Sequence, residues 1–128
     1  MAQRLLVASC FFGMALLFLI GCASKFFPET LVLYTSVVEG DQEIFVMNAD
    51  GSNVRQLTYN GALDTEPTWS PDGRQIAYSG ISEAGGADQE IFVMNADGSN
   101  VRQLTANDDR DTDPAWSPNG KQLAYVSD

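Results

Sequence analysis

DQEIFVMNADGSNVRQLT occupies residues 41–58, and the same 18 residues recur at 88–105, an offset of 47. Carrying both copies on to Tyr78 and Tyr125 gives 29 identities in 38 positions. Four of the nine differences fall at Tyr59 and at Gly61, Ala62 and Leu63, which marks a loop. Most of the others are mild, such as Glu66 against Asp113 and Arg74 against Lys121. A period of this length is the signature of a solenoid, a propeller or an array. Within it, Ile91, Phe92, Val93 and Met94 are four consecutive apolar residues, so both faces of that strand avoid water. A free-standing antiparallel meander alternates apolar with polar instead. A sheet covered on both faces by copies of itself fits the pattern, which is a propeller blade between neighbours. Trp69 and Trp116 add large apolar area for the same stacking.

Working outward, each period reads as four short strands, A to D, with no helical periodicity. In the complete period A is 67–70, B is 75–78, C is 90–95 and D is 101–105. Pro71-Asp72-Gly73 joins A to B: proline sets φ at the first central position and glycine takes the left-handed site, as in a hairpin with a bulge. Pro118-Asn119-Gly120 is the same turn in the other copy. A Gly-rich loop over 80–87 links B to C, and Ala96-Asp97-Gly98-Ser99 turns C into D. Before this period stand B (31–36), C (43–48) and D (53–58), and after it A (114–117) and B (121–127). The expected fold class is therefore all-β, with antiparallel four-stranded blades, about two of them, in a partial or open propeller. Two blades do not close a ring, and stable arrays generally need about three repeats or more.

The two parts of the motif, DQEIFVMNADGSNVRQLT and DTEPTWSPDGRQIAY, resemble the WD40-like β-propeller repeat of TolB-type periplasmic proteins. The resemblance covers nearly all of 31–128 and rests on Trp69, Pro71, Gly73 and on Trp116, Pro118, Gly120 as the repeat motif. It implies a six- or seven-bladed propeller in full-length members and protein–protein binding in the Tol–Pal system of the cell envelope. The same repeat builds the propellers attached to some serine peptidases. The separate N-terminal α/β domain of TolB is absent here, and TolB itself is not lipidated. Given about two blades, the expectation is a truncated propeller or a young duplication. Assembly, with three chains giving six blades, and a poorly folding remnant are the other readings. In an assembly the terminal B strand competes with 31–36 for one slot.

The first 21 residues read as an export signal. Arg4 supplies a positive start, and residues 5–20 are an apolar run of 16. At ~1.5 Å per residue that run reaches about 24 Å, short of the ~30 Å hydrocarbon core. Leu19-Ile20-Gly21-Cys22 resembles a bacterial lipobox, in which the cysteine is diacylated and becomes the first mature residue. Residues 1–21 are then a lipoprotein signal peptide, expected as a helix, 22–30 a tether, and 31–128 the propeller part with repeats 41–78 and 88–125. An ordinary secretory signal with an incidental Cys22 is the plainer alternative. Ala23 after the cysteine resembles lipoproteins that reach the outer membrane. Cys10 leaves with the signal, so the mature chain has no intramolecular disulfide.

Composition excludes several functions. The 128 residues carry 17 acidic and 7 basic side chains and no histidine, a net charge of −10. Nucleic acid and anionic lipid need a basic footprint that this chain lacks. Without histidine there is no Ser-His or Cys-His pair, so Ser70 and Ser117, set in turns, are not expected as nucleophiles. Asp108, Asp109, Asp111 and Asp113 place four carboxylates within 107–113, an oxygen-rich loop of the kind Ca²⁺ uses. The spacing is not that of an EF-hand, and a solvated acidic loop is the simpler reading. Asp64 and Asp111 precede strand A in both copies and resemble residues that bond loop backbone. Arg55 and Arg102, with Gln56 and Gln103, lie on the outer D strands; they suit an acidic partner, and a polar edge that discourages strand addition is the simpler reading. No metal or other cofactor is expected. The reading is a lipid-anchored, non-catalytic envelope protein, facing the periplasm from the outer membrane, whose blades bind another envelope protein or further copies of the chain. The alternative is the propeller of a prolyl oligopeptidase or dipeptidyl peptidase type enzyme without its catalytic domain.

Overall fold

A computed structural model describes residues 30–82 and 88–128. The expected signal helix, Cys22 and all but the last residue of the tether lie outside the described residues. Among the described residues there are nine strands: β1 (Leu31–Val38), β2 (Asp41–Asn48), β3 (Arg55–Gln56), β4 (Asp64–Trp69), β5 (Gln75–Ile81), β6 (Gln89–Asn95), β7 (Arg102–Gln103), β8 (Asp111–Trp116) and β9 (Leu123–Ser127). They make three sheets, ordered β1-β2-β3, β4-β5-β6-β7 and β8-β9, with all neighbours antiparallel. This is the arrangement B-C-D, A-B-C-D, A-B that the repeats predict.

Strands B and C shift by a few residues from expectation. β1 reaches Val38, β2 and β6 start at Asp41 and Gln89, β5 runs to Ile81 inside the loop expected from residue 80, and β9 starts only at Leu123. A and D differ more. Strand A begins at Asp64 and Asp111, three residues early, and crosses a bulge at Glu66-Pro67 and Asp113-Pro114. Proline has no amide for the ladder, and the residue before it takes φ 55° at Glu66 and 54° at Asp113, so pairing resumes only at Thr68 and Ala115. The D strands shrink to two residues. Leu57 N and Leu104 N still donate to the carbonyls of Ile44 and Ile91 (2.8 and 2.7 Å). The next amide of strand C, however, is taken by a threonine hydroxyl rather than by backbone: Ile44 N donates to Thr58 Oγ1 and Ile91 N to Thr105 Oγ1, each at 2.9 Å.

The turns follow from their residues. Gly73 N donates to Ser70 O (2.8 Å) at φ 68°, and Gly120 N does the same to Ser117 O at the same φ. Asp72 Oδ1 accepts from Ser70 Oγ and Arg74 N, and Ser70 Oγ accepts from Gln75 N. In the C–D turn, Asp97 Oδ1 accepts from both the amide and the hydroxyl of Ser99.

The core lies between sheets. Ile44, Val46 and Leu57 of the first sheet meet Ile76, Tyr78 and Met94 of the second, all buried, with Leu33, Trp69 and Phe92 at the margin. Burying a side chain of this size contributes about 1.5–3 kcal/mol. Tyr34 stacks on Phe45 (5.5 Å) and Tyr78 on Phe92 (5.4 Å) at the same place in each B–C pair. The C–D turn of the second sheet closes the contact: a Cβ on Gly98 would stand 2.9 Å from Leu57 O, whereas one on Gly51, its counterpart, would meet nothing within 4 Å. Both glycines have positive φ, 88° and 83°, so alanine at either is strained by about 1–2 kcal/mol. In dilute solution Gly98→Ala is therefore expected to lower urea-unfolding stability by roughly 1 kcal/mol or more beyond Gly51→Ala, through the added clash. Equal losses would contradict the packing of this turn on the neighbouring sheet.

Candidate functional site

The polar residues that draw attention fall into a repeated network between consecutive sheets. Glu43 and Glu90 open the apolar runs of β2 and β6 and are themselves buried. Thr58 Oγ1 donates to Glu43 Oε2 (2.5 Å), and Thr105 Oγ1 to Glu90 Oε2 (2.6 Å). The second oxygen of each carboxylate accepts a loop amide, from Gly61 (3.3 Å) and from Asn107 (3.1 Å). Asn60 Nδ2 then donates to Asp64 Oδ2 (2.9 Å), and Asn107 Nδ2 to Asp111 Oδ2 (3.0 Å). The chain of bonds runs from strand C of one sheet to the first residue of strand A of the next. Each buried carboxylate meets hydrogen-bond donors, as burial of such a group requires.

Asp64 and Asp111, which resemble residues that bond loop backbone, make these contacts to the loop. They accept from asparagine side chains, and the asparagines carry the loop, Asn60 Oδ1 accepting from Ala62 N and Asn107 Oδ1 from Asp109 N. Asp64 packs against Gly80, where a Cβ would come within 2.5 Å of its Oδ1. Ser127 stands at Gly80's place opposite Asp111. Its hydroxyl, followed by Thr105 and Asn107, holds the Asp111 carboxyl below the usual carboxylate range against the opposing effect of desolvation. Tyr78 is pushed up, first by burial and then by the charges of Asp64 and Glu43.

The acidic loop does not converge. Asp108 and Asp109 are exposed, Asp111 is fully buried, and Asp113 sits exposed in the β8 bulge, its amide donating to Glu66 Oε2 (2.9 Å) across the sheets. Glu66 Oε2 also accepts from Ser79 Oγ (2.7 Å). Among the described residues no three His, Cys, Asp or Glu side chains are grouped to hold a metal. Arg110 is exposed, with its guanidinium held on Gln89: Nε and Nη2 both donate to Gln89 Oε1 (2.9 and 2.6 Å), and Gln89 Nε2 donates to Thr65 Oγ1 (2.9 Å).

The repeat-motif residues occupy the ends and inner edges of the blades. Pro71, Gly73, Pro118 and Gly120 form the A–B turns. Trp69 joins the inter-sheet core, and Trp116 Nε1 donates to Thr68 O of the preceding sheet (3.3 Å). Ser70 and Ser117 staple those turns, so neither hydroxyl is poised as a nucleophile. Gln56 and Gln103 donate to Thr58 O and Thr105 O, two residues further along the chain. Antiparallel order puts the D–A loops at one end of the sheets, and the A–B and C–D turns at the other. The first end carries Glu39, Asp41, Asp88, Asp108, Asp109 and Asp113 against Arg110; the second carries Arg55, Arg74, Arg102 and Lys121 against Asp50, Asp72 and Asp97. The sheets therefore present one strongly acidic end, a surface suited to cationic partners.

Sequence reading missed the glutamate–threonine–asparagine network, although its signal is present: a glutamate at the head of a strand apolar on both faces, with a threonine 15 residues later, in both copies. Thr58→Val is expected to destabilise by about 2–3 kcal/mol in urea titration, since it leaves the Glu43 carboxylate and the Ile44 amide short of a partner. A change below about 0.5 kcal/mol would contradict the network. The depressed Asp111 carboxyl stabilises the fold above its unfolded value, near pH 4, and that contribution disappears as pH falls through the lower folded value. Asp111→Asn should therefore flatten the loss of stability on acidification below about pH 4; an unchanged slope would argue against the assignment.

Comparison with known proteins agrees with this geometry. The model of the TolB beta propeller domain family matches residues 19–128. The chain is 32% identical over 57 residues to the Tol-Pal system protein TolB of Desulfosudis oleivorans, covering 44% of this chain and 13% of that protein. It is 45% identical over 45 residues to the Tol-Pal system protein TolB of Geobacter sulfurreducens, 35% of this chain and 10% of that one. Among solved structures, a putative TolB from Agrobacterium tumefaciens superposes with a TM-score of 0.68 at 26% identity, over 81% of this chain and 40% of that chain. The matched segment thus spans only a small part of the length of these relatives.

Proposed function

The chain belongs to the TolB beta propeller domain family, and on that premise we propose that it is a lipid-anchored, non-catalytic protein-binding module of the bacterial cell envelope. One observation carries the non-catalytic reading. The polar side chains that a hydrolytic reading would need, Ser70, Ser117, Glu43, Glu90 and Asp111, are engaged in turns or between blades. What the blades leave free is surface, and the acidic end is its strongest feature. The envelope partner is proposed because the relatives are named as Tol-Pal system proteins. The anchor is proposed from Leu19-Ile20-Gly21-Cys22, with residues 1–21 as the cleaved signal and 22–30 as the tether. Acylation of Cys22 by more than one chain would give stable attachment, at ~0.8 kcal/mol per buried CH₂. The chain would then face the periplasm from the outer membrane, with 17 acidic against 6 basic side chains once Arg4 has left. Association of copies to complete the blades belongs to the same proposal. No observation in the structure favours the peptidase propeller.

Growth with radioactive palmitate tests the anchor. Label is expected on the wild type and not on Cys22→Ala, which should also pass from the membrane fraction to the soluble periplasmic fraction. Equal labelling of the two would overturn the lipoprotein reading.

A further inference from the structure

The sequence holds two Asn-Gly steps, Asn60-Gly61 in a D–A loop and Asn119-Gly120 in the A–B turn between β8 and β9. A glycine has no Cβ to keep its backbone nitrogen away from the side-chain carbonyl carbon of the asparagine before it. Such a step is open to loss of the asparagine's amide, and its surroundings decide whether the reaction proceeds.

The two are held differently. Asn60 is half-buried and bonded through both side-chain atoms: Nδ2 donates to Asp64 Oδ2 (2.9 Å) and Oδ1 accepts from Ala62 N (3.1 Å). Gly61 N, the nitrogen that would attack, donates to Glu43 Oε1 (3.3 Å). A carboxylate formed at Asn60 would face that of Asp64 at hydrogen-bond distance with no proton between them, and like charges so placed repel. Asn119 is exposed at the tip of its turn. Its Oδ1 accepts from Ser117 Oγ (2.8 Å) and Lys121 N (3.0 Å), while its Nδ2, the group that would leave, bonds nothing among the described residues. Asp72 holds the same place in the second sheet and is exposed as well, although a sheet packs on either side of it, so exposure belongs to the turn itself.

Asp72 also shows where the product would sit. Its Oδ1 accepts from Ser70 Oγ (2.6 Å) and Arg74 N (3.1 Å), the counterparts of Ser117 and Lys121. The Ser70 hydroxyl, then the Arg74 amide and charge, hold the Asp72 carboxyl below the usual carboxylate range. Bonds of this kind are stronger to a carboxylate than to a neutral amide oxygen.

We propose that Asn119 is a site of spontaneous deamidation, which converts Pro118-Asn119-Gly120 to the Pro-Asp-Gly of the other A–B turn, and that its bonds keep Asn60 from the same reaction. Gly120 N is held on Ser117 O (2.8 Å) and is freed when the exposed tip opens locally. It then gives its proton to hydroxide and bonds to Cγ of Asn119. The Cγ–Nδ2 bond breaks, ammonia leaves with a proton from water, and a five-membered imide is closed. Water opens the imide at Cγ to give aspartate, or at the backbone carbonyl carbon to give isoaspartate. The aspartate takes over the bonds from Ser117 and Lys121. It also joins the end that carries Arg55, Arg74, Arg102 and Lys121 against Asp50, Asp72 and Asp97, and cancels the basic excess there. The reaction is a slow, one-way change in the charge of that face.

Trypsin separates the two sites, because residues 56–74 contain Asn60 as their one asparagine and 111–121 contain Asn119 as theirs. The full chain in mild detergent is held in mildly alkaline buffer, with and without guanidinium chloride. It is then digested briefly at mildly acidic pH and read by mass spectrometry for the conversion of amide to acid. The expected result in the folded chain is conversion of 111–121 at least tenfold faster than of 56–74, with the two rates within threefold of each other in guanidinium chloride. Asn119→Asp should leave the urea midpoint unchanged or raised, and Asn60→Asp should lower it. Equal rates at the two sites of the folded chain, or faster conversion of 56–74, would overturn the proposal. So would an unconverted 111–121 after a time in which the denatured chain converts fully, or a midpoint lowered as far by Asn119→Asp as by Asn60→Asp.

Discussion

A strand that is apolar on both faces needs a sheet on either side, and β6 is such a strand. Ile91 and Val93 point to one neighbour and Met94 to the other, and the rest of the structure is arranged around meeting that demand. The core is accordingly not inside any sheet but between them. Repeat proteins of this kind derive their stability from nearest-neighbour interfaces more than from the single repeat. The contrast between Leu57 and Leu104, the same residue in the same local sequence, shows the constraint in one pair: what differs is only whether a further hairpin lies over it.

Polar chemistry serves the same stacking. Glu43 and Glu90 sit where a strand apolar on both faces meets the loop to the next blade, and a buried carboxylate there is tolerable only with its donors supplied. Thr58 and Thr105 supply them, and Asn60 and Asn107 pass the connection on to the next strand A. The carboxylates left over are concentrated at one end of the sheets. That division places the paired carboxylates between the blades and most of the exposed ones at a single end.

Much of the fold was legible because the repeat displays it twice. Strand order, the B-C-D, A-B-C-D, A-B inventory and the proline–glycine turns all follow from residues whose local chemistry admits few alternatives. What escaped reading depended on side-chain contacts rather than on local propensity. Strand A starts three residues early because Asp64 and Asp111 are drawn inward by Asn60, Asn107 and Ser127, a pull that no local propensity reveals. The D strands are short because a threonine hydroxyl intercepts a ladder amide. The cluster of Asp108, Asp109, Asp111 and Asp113 looked like one site in sequence. A bulge at Asp113 and the burial of Asp111 divide it among three environments.

The central claim is that coverage by a neighbouring sheet, rather than local sequence, sets the stability of each blade. Amide hydrogen exchange at low protein concentration tests it directly by comparing Ile76 and Ala77 of β5 with Leu123 and Ala124 of β9, which hold the same places in the repeat. The account predicts protection at β5 greater by about 2 kcal/mol or more, a factor of roughly thirty in exchange rate. Equal protection of the two strands would contradict it.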